Sequence, residues 1–288
     1  MKTIFCYHNT LCMLALCIAG CDSMPQGPQS AAKVAEPSAV RGNPSPAQKL
    51  SARPVHWTYA GKSGPEHWSS LSPMYAACGR GQLQSPINLL PSEATGKAKL
   101  AMEYKTTSLH MAHNEHVDDI VDNGHTIQIN VEPGSTISVN GKVFSLKQGH
   151  FHTPSEHTFS GKHFPMEMHL VHQSADGAFA VIGVLLEKGE ANADFAKIIE
   201  HLPNAPGEDK HVPDMHLNIT AYLPKNTVSY HYRGSLTTPP CSENVHWFVL
   251  QSRLALSTEQ LKAFESRLRD NHRPTQALNG RKIAVDRL

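Results

Sequence analysis

His150 and His152 stand two residues apart in Gln148-Gly-His-Phe-His152, and His169 follows in Glu167-Met-His-Leu-Val-His172. On a β-strand, residues two apart point to the same face, so the first two imidazoles can address one point in space. His169 lies in a second alternating stretch, close enough in sequence to be a neighbouring strand. Three imidazoles on rigid strands, with no cysteine among them, suit a catalytic zinc that keeps its fourth position open. The His-x-His pair alone carries little weight in a chain with 19 histidines. The third histidine and its neighbours turn the pair into a candidate metal centre.

A ligand imidazole needs its other ring nitrogen tied to a carboxylate or carbonyl, which fixes tautomer and ring orientation. With strands over residues 146–152 and 166–173, Gln148 shares a face with His150 and His152, while Glu167 and Val171 share one with His169. Gln148 and Glu167 each precede a ligand by two residues and are the candidates for that task.

The elements that must position these groups read mostly as strands. Alternation predicts strands over 125–131, 136–139, 178–186, 228–232 and 245–254. Pro133-Gly134 marks a turn, and Asn140-Gly141 is a two-residue hairpin signal leading into the strand of His150 and His152. Helical patterns are confined to 193–202 and 257–268, the second opening with the Ser-x-x-Gln capping pattern. The fold class is mainly β (α+β): a single domain on a large, mostly antiparallel twisted sheet with short peripheral helices.

The chain has 288 residues, with Lys2 ahead of an apolar run from Leu11 to Ala19 that is too short to span a bilayer. The run ends Ile18-Ala19-Gly20-Cys21, which resembles a bacterial lipoprotein box with Cys21 as the lipidated residue. Residues 1–20 are therefore expected to be a lipoprotein signal peptide. Residues 21–54, rich in Pro, Ala and Ser, are expected to be a disordered tether. Residues 55–288 are expected to be the catalytic domain. Removing Lys2 from 26 basic residues leaves 25 against 25 acidic ones. That balance argues against nucleic acid as a partner and leaves the lipid anchor as the expected contact with a membrane. Cys6, Cys12 and Cys17 go with the signal, so Cys78 and Cys241 remain. In an exported chain these are expected to pair, the alternative being two buried thiols.

These motifs together resemble an alpha-class carbonic anhydrase of the bacterial exported type. The resemblance runs through Tyr59-Ala-Gly-Lys-Ser-Gly-Pro-Glu-His-Trp68, Gln84-Ser-Pro-Ile-Asn88, Asn123-Gly-His125 and the two histidine segments. It continues through Ser155-Glu-His157, Ser235-Leu-Thr-Thr-Pro-Pro240 and Asn271-His-Arg-Pro274. It implies reversible hydration of carbon dioxide to bicarbonate and a proton by attack of zinc-bound hydroxide. Its cofactor is zinc and its ligands are His150, His152 and His169.

By matched position, Gln148 and Glu167 orient His150 and His169, and the backbone carbonyl of Asn271 orients His152. Thr237 is implied to donate a hydrogen bond to a buried Glu156, aligning the attacking lone pair. Val171, Val181, Leu236, Val245, Trp247 and Thr238 match the substrate pocket, whose apolar wall suits a small uncharged substrate. His125 matches the proton shuttle, and histidine titrates near neutrality. Tyr59, Asn123 and Gln128 match positions that order water, Gln128 being a departure if asparagine is usual there. Cys78 and Cys241 match the disulfide of exported members.

The other histidines are read more plainly. His110, His113 and His116 recur every three residues and are taken as surface groups, and His157 and His172 as hydrogen-bonded core histidines. The competing function is a silent binding module or a zinc-buffering lipoprotein of the same fold, against which the complete ligand set weighs. Localisation is read as periplasmic or cell-envelope; the oligomeric state stays open, a homodimer being one option.

Overall fold

The computed structural model describes residues 55–90, 96–114 and 126–287. The signal and tether segments, Cys21, His116, Asn123 and His125 lie outside the described residues. The strands begin with β1 (Asn88–Leu89), β2 (Leu100–Glu103), β3 (Thr106–Asn114), β4 (Thr126–Asn130) and β5 (Thr136–Val139). The middle of the chain supplies β6 (Lys142–His152), the short β7 (Thr158–Phe159) and β8 (Lys162–His163), β9 (Met166–Gln173) and β10 (Phe179–Lys188). Then follow β11 (Asp209–Asn218), β12 (Val228–Ser235), β13 (Glu243–Leu250), β14 (Leu254–Leu256) and β15 (Ala284–Arg287). The α-helices are α1 (Trp68–Leu71), α2 (Ala77–Arg80), α3 (Ala193–Ile199) and α4 (Thr258–Leu268).

Twelve strands form one sheet with the main path β11-β3-β4-β6-β9-β10-β13-β12-β15. Its pairings are antiparallel except where β10 meets β13 and β14. The β5–β6 hairpin turns at Asn140 and Gly141, both at positive φ (52° and 85°), as a two-residue turn of this hand requires. The expected strand over 245–254 is instead two strands. Both run parallel to β10, β13 along Ala180–Gly183 and β14 along Leu186–Lys188, and the chain bends between them.

The sheet is buried on both sides through its centre, and alternation sorts its side chains. Met166, Met168 and Leu170 of β9 join Ala180, Ile182 and Val184 of β10 and Phe248 of β13 in the larger core. Against that core pack Phe195 and Ile198 of α3 and Phe264 of α4, whose ring lies 4.8 Å from that of Phe151. The capping box reads as expected, with the Ser257 hydroxyl accepting from the Gln260 N–H and the Gln260 side chain returning to the Ser257 N–H. Odd-numbered Val171, Val181, Val245 and Trp247 form a second cluster on the opposite face.

One irregularity places the histidines. Phe144 and Leu146 enter the larger core, yet so does Phe151, so the parity of β6 changes along its length. The change occurs where Leu146 faces His172 but Gln148 already faces Val171. The extra residue, Lys147, is a β-bulge. It sends Gln148, His150 and His152 to the face of His169, and His150 stands directly opposite His169 in register.

Cys78 and Cys241 form a disulfide over a sequence separation of 163. Opening a loop of that length is expected to cost about 5 kcal/mol in the chain-entropy account. Cys78→Ser is therefore expected to lower the melting temperature; an unchanged melting curve with and without reductant would show that the bridge contributes nothing.

His172, completely buried, donates from Nδ1 to the Ala180 carbonyl at 3.2 Å and meets the Tyr104 hydroxyl at 3.0 Å. Burial pushes its pKa down to about 3. The unfolded chain, with an ordinary imidazole, takes up a proton that the folded chain refuses. Stability is therefore present at neutral pH and falls as pH drops from about 6.5 toward 3, by up to about 1.4 kcal/mol per pH unit. His172→Gln is expected to flatten the acid limb of stability against pH in denaturant titrations by about that slope.

Candidate metal centre and active site

Three imidazole nitrogens converge at the bulged end of β6. His150, His152 and His169 are at most 4 % exposed, and one ring nitrogen from each lies within 4.8 Å of the others. His150 Nε2 and His169 Nδ1 are 3.2 Å apart. His152 Nε2 is buried with no hydrogen-bond partner among the described residues.

The opposite nitrogen of each ring is occupied. His150 Nδ1–H donates to Gln148 Oε1 at 2.8 Å, His152 Nδ1–H to the Asn271 carbonyl at 2.7 Å, and His169 Nε2–H to Glu167 Oε1 at 2.9 Å. These acceptors fix the tautomers and leave three lone pairs aimed inward. Burial, reinforced by the neighbouring imidazoles, holds the His150 pKa well below its ordinary value; burial likewise lowers that of His152. Neutral rings are what a metal requires. The all-nitrogen donor set and the orphaned buried nitrogen fit zinc with an open fourth position.

Glu167 does more than hold one ring. Its Oε2 accepts the His157 backbone N–H at 2.8 Å and its Oε1 also accepts His157 Nδ1–H at 2.7 Å. Burial alone would raise the Glu167 pKa, but His157 and His169 outweigh it and hold the carboxyl well below the usual range. A buried negative charge thus sits behind His169. The chain of bonds continues from His157 Nε2 to the Tyr232 hydroxyl at 2.7 Å and from there to the Ser85 hydroxyl at 2.9 Å.

An apolar wall stands beside the histidines. Val181 lies opposite Val171 on one side and Trp247 on the other. Leu236 and Val245 belong to the same cluster. The Trp247 ring is 4.8 Å from that of His169 and is pinned by its Nε1–H donating to the Ser235 carbonyl at 2.9 Å. Thr237 and Thr238 are buried in the loop that follows β12. The Cys241 N–H closes that loop onto the Thr238 carbonyl at 2.8 Å, and the disulfide anchors it to α2.

Residues 63–287 match the family model described as eukaryotic-type carbonic anhydrase. This chain belongs to that family. A carbonic anhydrase of Pectobacterium carotovorum is 41 % identical over 232 residues, spanning 80 % of this chain and 90 % of that one. One from Klebsiella pneumoniae is 42 % identical over 246 residues, spanning 81 % and 94 %. The solved alpha-carbonic anhydrase of Thermovibrio ammonificans, in complex with the inhibitor sulfanilamide, superposes with a TM-score of 0.73 at 39 % identity, covering 81 % of this chain and all of that one. The enzyme is a carbonic anhydrase, and its histidine triad is the one typical of zinc in the alpha class.

The structure of this carbonic anhydrase brings together the residues expected around the metal: Gln148, Glu167 and Asn271 on the ligands, and Val171, Val181, Leu236, Val245 and Trp247 along the wall. Gln128 stands opposite His150 in register and its amide donates to Asn130. Tyr59 packs edge-on against Trp57 and Trp68, at 5.3 and 5.9 Å. One expected contact differs. Glu156 does not take a hydrogen bond from Thr237: its Oε1 accepts the Arg273 backbone N–H at 2.9 Å, and its Oε2, without a hydrogen-bond partner among the described residues, stands 3.6 Å from His152 Nε2. The backbone donor holds one oxygen, and the other faces the histidines.

Arg273 was not legible as a site residue. It is 1 % exposed and donates to Gln84 Oε1 and to the Ser85 and Cys78 carbonyls at 2.7–2.9 Å, with its guanidinium 5.6 Å from the Trp68 ring. Burial draws its pKa down to about 10, so it remains charged at neutral pH. It ties the segment of Asn271 and Arg273 to residues 78–85. Nothing in Asn-His-Arg-Pro distinguishes a buried arginine from an exposed one.

His169→Ala is expected to abolish zinc retention and carbon dioxide hydration together. Glu167→Gln keeps the shape but removes the charge, and is expected to weaken zinc about 10- to 100-fold, read by competition with a chromogenic chelator.

Proposed function

We propose that this carbonic anhydrase works in the cell envelope, anchored through Cys21, with His125 exporting the proton and Thr237 and Glu156 aligning the nucleophile. The observation that carries the catalytic reading is the set of three buried, converging imidazoles with every outer nitrogen occupied. A zinc-buffering module would gain from mobile, exchangeable ligands. Here Gln148, the Asn271 carbonyl and Glu167 hold the rings in one orientation. Zinc, when bound, supplies the Lewis acidity that makes water nucleophilic near neutral pH.

The remaining work falls to this chain's side chains. Carbon dioxide is small and apolar, so the wall of Val171, Val181, Leu236, Val245 and Trp247 can hold it without competing for hydrogen bonds. Thr237 and Thr238 lie on the loop braced by the disulfide, which supports a positioning role for both. Glu156 places a carboxylate oxygen near the histidines, where it can accept a hydrogen bond from a hydroxyl and orient the group bearing it. Each hydration releases a proton, and a histidine near neutral pKa is suited to carry it out; His125 stands in the Asn123-Gly-His motif for that role. Tyr59, Asn123 and Gln128 are proposed to order the intervening water. Export is supported by the disulfide, which persists in oxidising compartments, and by Ile18-Ala19-Gly20-Cys21.

Stopped-flow hydration by the mature domain is expected to be lost when zinc is chelated and to return when zinc is restored. A folded, zinc-loaded protein without hydration would overturn the catalytic reading. His125→Ala is expected to slow turnover about 10-fold or more in weak buffer, consistent with general acid–base contributions. Imidazole should restore the rate; absence of rescue would place the proton route elsewhere.

A further inference from the structure

On the sheet face opposite the catalytic histidines, β12 and β13 place a second pair of imidazoles side by side. His231 stands directly opposite Phe248 in register, and His246 precedes Phe248 by two residues, so both rings lie on the side of the larger core. Tyr232 and Trp247, the adjacent residues, point to the catalytic side.

His231 Nε2 and His246 Nδ1 are 3.4 Å apart. At that distance the two nitrogens share a long hydrogen bond, with one proton between them. Two imidazole nitrogens bound at about 2.0–2.1 Å to one tetrahedral ion stand about 3.3 Å apart. The catalytic pair His150 and His169 shows the same kind of spacing, 3.2 Å.

The outer nitrogen is also secured. His231 Nδ1–H donates to Asp286 Oδ2 at 2.9 Å, and the other oxygen of this buried carboxylate accepts the Ala98 backbone N–H at 3.2 Å. This repeats the carboxylate–imidazole arrangement of Glu167 and His169. The His231 ring is stacked on Phe248 at 4.4 Å and 12°, which restrains its rotation. Both histidines are half-buried, so solvent reaches them. Burial lowers the His231 pKa and brings that of His246 to about 4, so the rings are neutral at neutral pH and a cation has only the one proton shared between them to displace.

We propose that His231 and His246 form a second site for a late first-row divalent cation, zinc or copper(II), with Asp286 orienting His231 and water completing the coordination. Lys142 and Arg233 are the cations acting on His246. Lys142 is matched by Asp176 at 2.8 Å. Arg233 faces His246 across the β12–β13 ladder and pairs with no carboxylate among the described residues. Its charge makes this site weaker than the catalytic one.

The test is equilibrium dialysis of the zinc-loaded enzyme against increasing zinc, with metal analysis. The parent is expected to take up a second equivalent. His246→Asn and His231→Asn are expected to stop at one while keeping the parental rate of hydration. Asp286→Asn should weaken the second equivalent about 10-fold or more. His169→Ala, which removes the catalytic ion, is expected to keep the second, so failure of one reading is distinct from failure of the other. Copper(II) titration supplies an independent readout, a two-nitrogen hyperfine pattern in electron spin resonance that disappears in His246→Asn. A parent that binds one equivalent only, or a second equivalent that survives in both histidine variants, overturns the proposal.

Discussion

Three buried imidazoles must present their lone pairs to one point while remaining uncharged, and the architecture around the active site follows from that constraint. A buried ring that can rotate, or whose outer N–H lacks an acceptor, loses both orientation and stability. Each of the three rings therefore has a fixed acceptor of a different kind: an amide oxygen, a backbone carbonyl and a carboxylate. Only the carboxylate brings a charge into the interior. Glu167 is stabilised by accepting from His169, from the His157 ring and from the His157 backbone, so the charge is surrounded by donors.

The sheet supplies the rigidity and sorts the chemistry. Alternation gives each central strand one face for the larger core and one for the site, so the apolar packing that folds the domain also fixes the ligand strands. The parallel pairing of β10 with β13 brings Val181 beside Trp247, and the antiparallel pairing with β9 brings it beside Val171. The wall beside the histidines is thus assembled from the consecutive strands β9 and β10 and from β13, which comes much later in the chain.

A second layer of contacts links this centre to residues 78–85. Arg273 and the Cys78–Cys241 disulfide both reach these residues, one by charge-assisted hydrogen bonds to carbonyls and one by a covalent bond. Between them lie Asn271, which orients His152, and the loop bearing Thr237 and Thr238. Stability and alignment of the site therefore share the same connections.

The local chemistry was legible in the chain itself. The two-residue spacing of His150 and His152, the matching positions of Gln148 and Glu167, and the Asn140-Gly141 turn are all short-range, and strand periodicity translates them directly into geometry. The resemblance of the motifs carried the family and the disulfide pairing. What tertiary structure alone decided depends on long-range register. Uniform alternation would set Leu146 on the same face as His150; the bulge at Lys147 sends it to the core, because a one-residue slip reverses every side chain beyond it. The burial of Arg273, the route from Glu167 through His157 to Tyr232 and Ser85, and the Arg273 N–H on Glu156 join residues from ten to nearly 200 positions apart. Spacing in a sequence reports which residues share a strand face. Which strands meet, and with what register, is settled by the packing of the whole sheet.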